Sequence, residues 1–146
     1  MTRDLVIFDL DGTLADIRHR LHLVRQKPKR WREFFEACVN DVPNEPVIAA
    51  YRAFRQSALP CELWIFSGRS DAVRPQTERW LAQHVGDYDH LRMRRDGDYT
   101  ADEVLKRRWA EPIAHRVLCV FDDRDKVVAM WRSLGIACFQ VAEGDF

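Results

Sequence analysis

The sequence has no apolar stretch that approaches the ~20 residues a membrane-spanning helix requires. It also lacks the basic, apolar and small-residue regions that open a secretory signal peptide. Low-complexity tracts, internal repeats and interdomain linkers are absent as well. We therefore predict a cytoplasmic protein with no membrane partner, folded as one domain over residues 1–146.

The sequence has only four cysteines and a formal net charge of zero, and both facts restrict the classes of protein to which it can belong. The four cysteines form no CxxC pair and have no histidine companion at zinc-site spacing. Cys119 and Cys138 fall within apolar segments, which predicts small buried hydrophobic residues. The 23 Lys and Arg residues balance 23 Asp and Glu residues, so the total charge indicates no particular class of partner.

The sequence does contain a dense acidic motif, DLDGT, directly after its first apolar run. Residues 6–8 predict a buried strand, which places Asp9 at its carboxyl end. Ligands of open α/β sheets bind just outside such strand ends. Asp11 can turn its carboxylate or its carbonyl to the same point, and two adjacent acids favour a hard cation. Asp-Gly is also a common turn dipeptide, so the motif alone leaves a simple turn as the alternative.

Two later apolar runs end in side chains of related chemistry. The second run ends at Ser67, and the third ends at Asp122 and Asp123. Lys106 lies between these runs in a helical pattern. Because three strand ends carry oxygen ligands and one lysine lies between them, we interpret these residues as a single site.

The remaining periodicity predicts strands that alternate with helices. Thr100 and Glu103 have the spacing of a capping box at the start of the Lys106 helix. Helices are predicted over 30–39, 44–55, 75–84, 100–113 and 125–134. Further strands are predicted at 91–93 and 136–141. This alternation predicts an α/β fold with a parallel sheet and right-handed crossovers.

The order DxDGT, hydroxyl residue, Lys and DD pair resembles the haloacid dehalogenase phosphohydrolase superfamily. Within it, SGR at 67–69, GD at 97–98 and the closing segment 122–146 are similar to the 3′-phosphatase domain of bacteriophage polynucleotide kinase. The likeness covers most of the chain. It implies a Rossmannoid three-layer fold with a parallel sheet of about five strands and a small basic flap or cap insert at about residues 15–45.

The resemblance also implies a role for each matching residue. The expected catalytic residues are Asp9 as nucleophile, Asp11 as general acid and base, and Ser67 and Lys106 as holders of the phosphoryl oxygens. The expected Mg²⁺ ligands are Asp9, Asp11 through its carbonyl, Asp122 and Asp123. The expected substrate-binding residues are Thr13, Arg20, Gly68, Arg69 and Asp98. A carboxylate nucleophile suits phosphoryl transfer when a lysine and a divalent ion offset its repulsion from the phosphate.

A basic segment, residues 18–32, follows the acidic motif. It holds seven Lys or Arg, two His and no acid. Such a run is usually a solvated face, and the alternative is a lid that binds a polyanion. Trp31, Phe34 and Phe35 have the spacing of a core stripe, with stacking on bases as the alternative.

We therefore expect a Mg²⁺-dependent phosphohydrolase that removes a 3′-phosphate from nucleic acid or nucleotides through an aspartyl phosphate. The alternatives are a 5′-nucleotidase or another small phosphomonoester phosphatase, and a non-catalytic nucleic-acid-binding module. A protein that only binds nucleic acid requires neither the acidic residues nor the lysine that the motifs contain. The sequence has no GxxxxGK[ST] loop, so we expect no kinase domain and no phosphorylation of 5′ ends.

Overall fold

A computed structural model describes residues 2–146. The strands of this region are β1 (Leu5–Asp9), β2 (Ala15–Asp16), β3 (Val42–Pro43), β4 (Glu62–Ser70), β5 (His90–Arg94), β6 (Val117–Asp122) and β7 (Cys138–Gln140). Five of them form one sheet in the order β5, β4, β1, β6, β7, and all neighbours in it are parallel. The predicted five-stranded parallel sheet is confirmed.

The central strand β1 is apolar because both of its faces are covered. Its residues alternate between two hydrophobic clusters, with Val6 and Phe8 in one and Leu5 and Ile7 in the other. The strands on both sides of β1 run parallel to it. Their carboxyl ends therefore meet the carboxyl end of β1, where Asp9 lies, at one edge of the sheet.

Helices cover both faces of the sheet and complete three layers. They are α3 (Glu45–Gln56), α4 (Arg74–His84), α5 (Asp102–Ala110) and α6 (Asp125–Ser133). Two shorter helices, α1 (His22–Arg25) and α2 (Trp31–Glu36), precede them in the chain. α3 and α4 contribute Tyr51 and Trp80 to the cluster of Phe8. α5 and α6 contribute Trp109 and Trp131 to the cluster of Ile7. The predicted three-layer α/β architecture is thus confirmed.

The insert between β1 and β4 begins and ends on a small antiparallel pair. Ala15 pairs with Pro43 and Asp16 with Val42, so residues 17–41 leave this pair at β2 and return to it at β3. Helices α1 and α2 occupy this segment. The basic run of residues 18–32 therefore lies in a compact helical insert next to the DxDGT loop.

Two local predictions at α5 are wrong. Thr100 forms no capping box, because its hydroxyl donates to Asp98 Oδ1 at 2.6 Å and the residue before the helix is Ala101, with no side-chain cap. The helix also ends at Ala110 rather than near residue 113, and a 3₁₀ segment follows it. Pro112 explains this end, since a proline cannot donate to the preceding helical turn.

The burial predicted for Cys119 and Cys138 is confirmed. Cys38, Cys119 and Cys138 are buried and Cys61 is half-buried, and none of the four is in a disulfide. Within residues 2–146, no helix has the length and hydropathy needed to cross a bilayer. The cytoplasmic location stays a prediction.

Candidate active site

Three strand ends bring the predicted residues together. Asp9 is the last residue of β1 and pairs with Phe66, so Ser67 follows immediately in the neighbouring strand β4. Asp122 ends β6 on the other side of β1. The Ser67 hydroxyl is buried and accepts a hydrogen bond from the Arg69 backbone at 3.1 Å. The expected clustering of these side chains at one sheet edge is present.

Asp9, Asp122 and Asp123 form a buried acidic cluster. One carboxylate oxygen from each lies within 4.8 Å of the others. Burial first, and the Asp122 carboxylate second, raise the pKa of Asp9 well above its usual range. The same two causes raise the pKa of Asp123 to about 6. Converging carboxylates that repel one another fit a divalent cation with a preference for oxygen, as Mg²⁺ has.

Lys106 is the buried cation of the site. Its Nζ lies 2.7 Å from Asp9 Oδ1 and 3.0 Å from Asp122 Oδ2. Burial acts to lower the pKa of Lys106, but Asp122 and then Asp9 outweigh it and raise this pKa well above the usual range. The lysine therefore stays charged and fixes the orientation of the Asp9 carboxylate.

The loop after β1 supports Asp9 from the other side. Thr13 is fully buried, and its hydroxyl donates to Asp9 Oδ2 at 3.0 Å. Gly12 has φ +82°, and a Cβ at this position would lie 2.1 Å from Asp123 Oδ2. Only glycine allows the loop to pass so close to the acidic cluster. The structure places Thr13 beneath Asp9, and its substrate-binding role stays a prediction.

Asp11 lies outside the acidic cluster and binds two arginines. Its Oδ1 accepts hydrogen bonds from Arg20 Nη2 at 2.9 Å and from Arg69 Nη2 at 2.7 Å. Burial acts to raise the pKa of Asp11, but Arg69 and Arg20 outweigh it and hold this pKa below the usual range. No hydrogen bond among residues 2–146 engages Oδ2, and Asp11 lines a cavity. Its carbonyl as a metal ligand stays a prediction.

Asp41 was missed by the sequence reasoning, although it joins both arginines. Its Oδ1 lies 2.8 Å from Arg20 Nε, and its Oδ2 lies 2.7 Å from Arg69 Nη2. All three side chains are fully buried. No local pattern marks Asp41, because its partners lie 21 and 28 residues away in the chain. The site therefore includes an Asp11, Arg20, Arg69 and Asp41 network in addition to the acidic cluster.

Asp102 is a second residue that the sequence reasoning missed. Its carboxylate lies 3.7 Å from Lys106 Nζ and 3.3 Å from Arg94 Nη2. A Cβ on Gly68 would lie 2.3 Å from Asp102 Oδ1, so this glycine allows the approach. The predicted residue Asp98 instead binds within its own loop and lines the adjacent cavity. The i,i+4 spacing of Asp102 and Lys106 was the available signal.

A cavity of about 1140 Å³ opens in front of Asp9 and Asp11. One wall is the insert, which contributes Arg25, Lys29 and Arg32. Other walls come from the loop between β5 and α5, with Asp98 and Tyr99, and from Arg124 and Lys126. Positively charged side chains from two separate segments, the insert and residues 124–126, therefore border the cavity in front of the acidic cluster.

A family comparison agrees with this geometry. Residues 3–146 match the family described as "Polynucleotide kinase PNKP phosphatase domain". The matched range extends over the positions of all the predicted site residues, whose roles stay predictions.

Solved structures agree as well. A chain of the "Pnkp1/Rnl/Hen1 complex" is 36% identical with a TM-score of 0.80, and the match covers 99% of this chain and 48% of that one. A chain of the "Pnkp1/Rnl/Hen1 RNA repair complex" is 35% identical with a TM-score of 0.77, covering 99% and 44%. This chain thus spans a little under half the length of those relatives.

A more distant match supports the fold alone. A haloacid dehalogenase-like family hydrolase from Streptococcus pneumoniae is 11% identical with a TM-score of 0.64, covering 94% of this chain and 83% of that one. The match over nearly the whole chain and the shared fold lead to one conclusion: this chain belongs to the polynucleotide kinase phosphatase domain family and is a phosphatase with the haloacid dehalogenase fold.

Proposed function

We propose that this phosphatase is Mg²⁺-dependent and removes the 3′-phosphate from nucleic acid through an aspartyl phosphate. The observation that carries the proposal is the Asp9 carboxylate, held by Lys106 at 2.7 Å and by Thr13 at 3.0 Å. Asp9 lines the cation-bordered cavity described above, which we call the cleft. Holding both oxygens of a nucleophile in place lowers the cost of reaching the attack geometry.

The first step forms a bond between an Asp9 oxygen and phosphorus, and breaks the bond between phosphorus and the sugar oxygen. Asp11 donates a proton to the departing oxygen, with its Oδ1 held by Arg20 and Arg69. Because these arginines favour its charged form in the free protein, Asp11 takes up this proton from solvent once the anionic phosphate has bound beside it. In the second step Asp11 accepts a proton from water as the water oxygen bonds to phosphorus, and the bond between phosphorus and the Asp9 oxygen breaks to release inorganic phosphate. Asp9 is then regenerated.

Asp9, Asp122 and Asp123 would hold the Mg²⁺, together with the Asp11 carbonyl. The buried carboxylates supply the oxygen donors that this ion prefers. The ion would supply positive charge against the phosphoryl oxygens when bound. Ser67 and Lys106 would hold the same oxygens from the protein side.

The choice of a nucleic-acid 3′ end is supported by the relatives and by the cleft. The relative at 35% identity comes from a complex described as an RNA repair complex. Arg25, Lys29 and Arg32 line the cleft. Three cations along its wall suit a polyanion that carries more than one phosphate. RNA is therefore the first oligonucleotide to test.

Phosphate release from matched oligonucleotides tests this function. A 3′-phosphorylated oligoribonucleotide, its 5′-phosphorylated counterpart, the DNA equivalents and free mononucleotides are compared at equal concentration with Mg²⁺. We expect the 3′-phosphorylated oligonucleotides to have the highest kcat/KM. A higher value for free 5′-nucleotides would replace the proposal with a 5′-nucleotidase, and no release from any ester would favour a binding module.

A further inference from the structure

The loop between β5 and α5 presents a tyrosine that the fold itself does not use. Tyr99 is 84% exposed and lines the cleft. No side-chain hydrogen bond among residues 2–146 involves its hydroxyl. An aromatic ring so exposed gains little from burial, so packing does not account for its presence.

The backbone on both sides of Tyr99 is nevertheless held firmly. Arg94 Nη1 donates to the carbonyl of Asp98 at 3.1 Å and to that of Thr100 at 2.6 Å. The Asp98 carboxylate accepts from Thr100 N at 2.9 Å. The ring is therefore displayed from a fixed base, which reduces the entropy lost when a flat ligand binds to it.

A second aromatic ring reaches the same cleft from the insert. Trp31 is 41% exposed and lines the cavity. Phe34 packs edge-on against it at 5.8 Å between centroids, and Phe35 stacks on it at 6.0 Å. Lys29 Nζ lies 5.5 Å from the Trp31 ring centroid. This arrangement combines a supported aromatic surface with a cation at its edge.

On the basis of the function proposed above, we propose that Tyr99 and Trp31 stack on the terminal bases of a single-stranded polynucleotide whose 3′-phosphate reaches Asp9. Aromatic side chains bind single strands because every base has a flat π face, and neighbouring cations pair with the backbone. The cavity of about 1140 Å³ exceeds the roughly 300–1,000 Å³ of small-ligand pockets. A phosphate and a ribose alone would leave much of it unfilled.

Two 3′-phosphorylated oligonucleotides test the stacking. They are identical except that the last two nucleotides of one are abasic, so the backbone charges are the same and the terminal bases differ. We expect the wild-type protein to prefer the base-bearing substrate, in kcat/KM, by about tenfold. Tyr99→Ala should reduce this preference several-fold, and Tyr99→Phe should retain it because the ring remains.

The other variants separate stacking from general damage. Trp31→Leu should reduce the preference, and Trp31→Tyr should preserve most of it; circular dichroism checks that each variant is folded. Phe139→Ala is the matched control, because Phe139 is 55% exposed but does not line the cleft. It should leave the preference unchanged.

Four outcomes would overturn the inference. A wild-type protein with no preference, or Tyr99→Ala with an unaltered preference, would exclude stacking while leaving the 3′-phosphatase function in place. Release of phosphate from glycerol phosphate but from neither oligonucleotide would overturn the proposed function and the stacking together. Loss of the preference in Phe139→Ala equal to that in Tyr99→Ala would also count against a specific role for the cleft rings.

Discussion

Arg69 Nη2 lies 2.7 Å from Asp41 Oδ2, and both side chains are fully buried. Arg69 belongs to β4, whereas Asp41 ends the helical insert. The same guanidinium contacts Asp11 Oδ1 at 2.7 Å. Through Arg69, this buried ion pair therefore couples the position of the insert to the orientation of Asp11, the proposed general acid and base.

We expect Asp41→Asn to destabilise the protein and to lower its turnover. Removing one partner of a buried ion pair typically costs about 3–5 kcal/mol in the free energy of unfolding, because the remaining charge is left without compensation. Arg20 and Arg69 would both lose a partner in this variant. Urea denaturation and phosphate-release assays measure the two effects.

The matched control is Glu78→Gln, which breaks an exposed pair with Arg74 at 2.8 Å. Such surface pairs contribute about 0–1 kcal/mol, so this variant should remain close to the wild type. Equal losses of stability in Asp41→Asn and Glu78→Gln would contradict the role of the buried network.

Local patterns were sufficient to predict the acidic cluster. Asp9 and Asp122 each end an apolar run, and parallel strands bring such ends to one edge. Asp41 could not be found in this way, since its role depends on contacts made through the tertiary fold. The capping box failed for a different, local reason: the Thr100 hydroxyl binds Asp98 within its own loop, and this turn competes with the cap.

The basic insert was only partly interpretable from composition. Seven cations over residues 18–32 indicate a charged face or a lid, but composition does not tell which side chain faces which way. In the structure Arg20 is buried in the ion-pair network, Arg25 lines the cleft and Arg30 pairs with exposed Glu33. Neighbouring charges in one segment therefore have three different environments.

Asp9→Asn should abolish turnover of every phosphate ester while the protein stays folded. An amide cannot form the aspartyl phosphate, and it fits the volume that the carboxylate occupies. Phosphate release, circular dichroism and mass spectrometry of the quenched wild-type enzyme check this prediction. Asp145→Asn, which changes an exposed acid, is the control and should retain full activity. Substantial turnover by Asp9→Asn would rule out the proposed nucleophile.

Chelation should stop the reaction and added Mg²⁺ should restore it. Mg²⁺ should also raise the melting temperature, because a ligand that binds only the folded state stabilises it by about 2.7 kcal/mol at 100 times its Kd. The double variant Asp122→Asn, Asp123→Asn should lose this rise, since it removes two of the three clustered carboxylates. Full activity in excess chelator would overturn the metal requirement.

Binding of a 3′-phosphorylated oligonucleotide should weaken steeply with salt. Each contacted phosphate of a single strand contributes a slope of roughly 0.7 in log K against log salt. Replacing the cleft residues Arg25, Lys29 and Arg32 with Gln should lower this slope and raise KM several-fold. The control triple at Arg18, Lys27 and Arg30, which do not line the cleft, should change both quantities less. Equal effects of the two triples would indicate a nonspecific charge effect.

Gly12→Ala should disable the site through one methyl group. Gly12 has φ +82°, and a Cβ there would lie 2.1 Å from Asp123 Oδ2. Gly135→Ala is the matched control, because Gly135 has φ +76° and a Cβ there would meet nothing within 4 Å. Both variants should lose about 1–2 kcal/mol of stability from the left-handed backbone. Only Gly12→Ala should also lose Mg²⁺-dependent turnover, since the methyl group would displace Asp123, a proposed metal ligand. Turnover equal to that of the wild type in this variant would show that Asp123 is not required as a metal ligand.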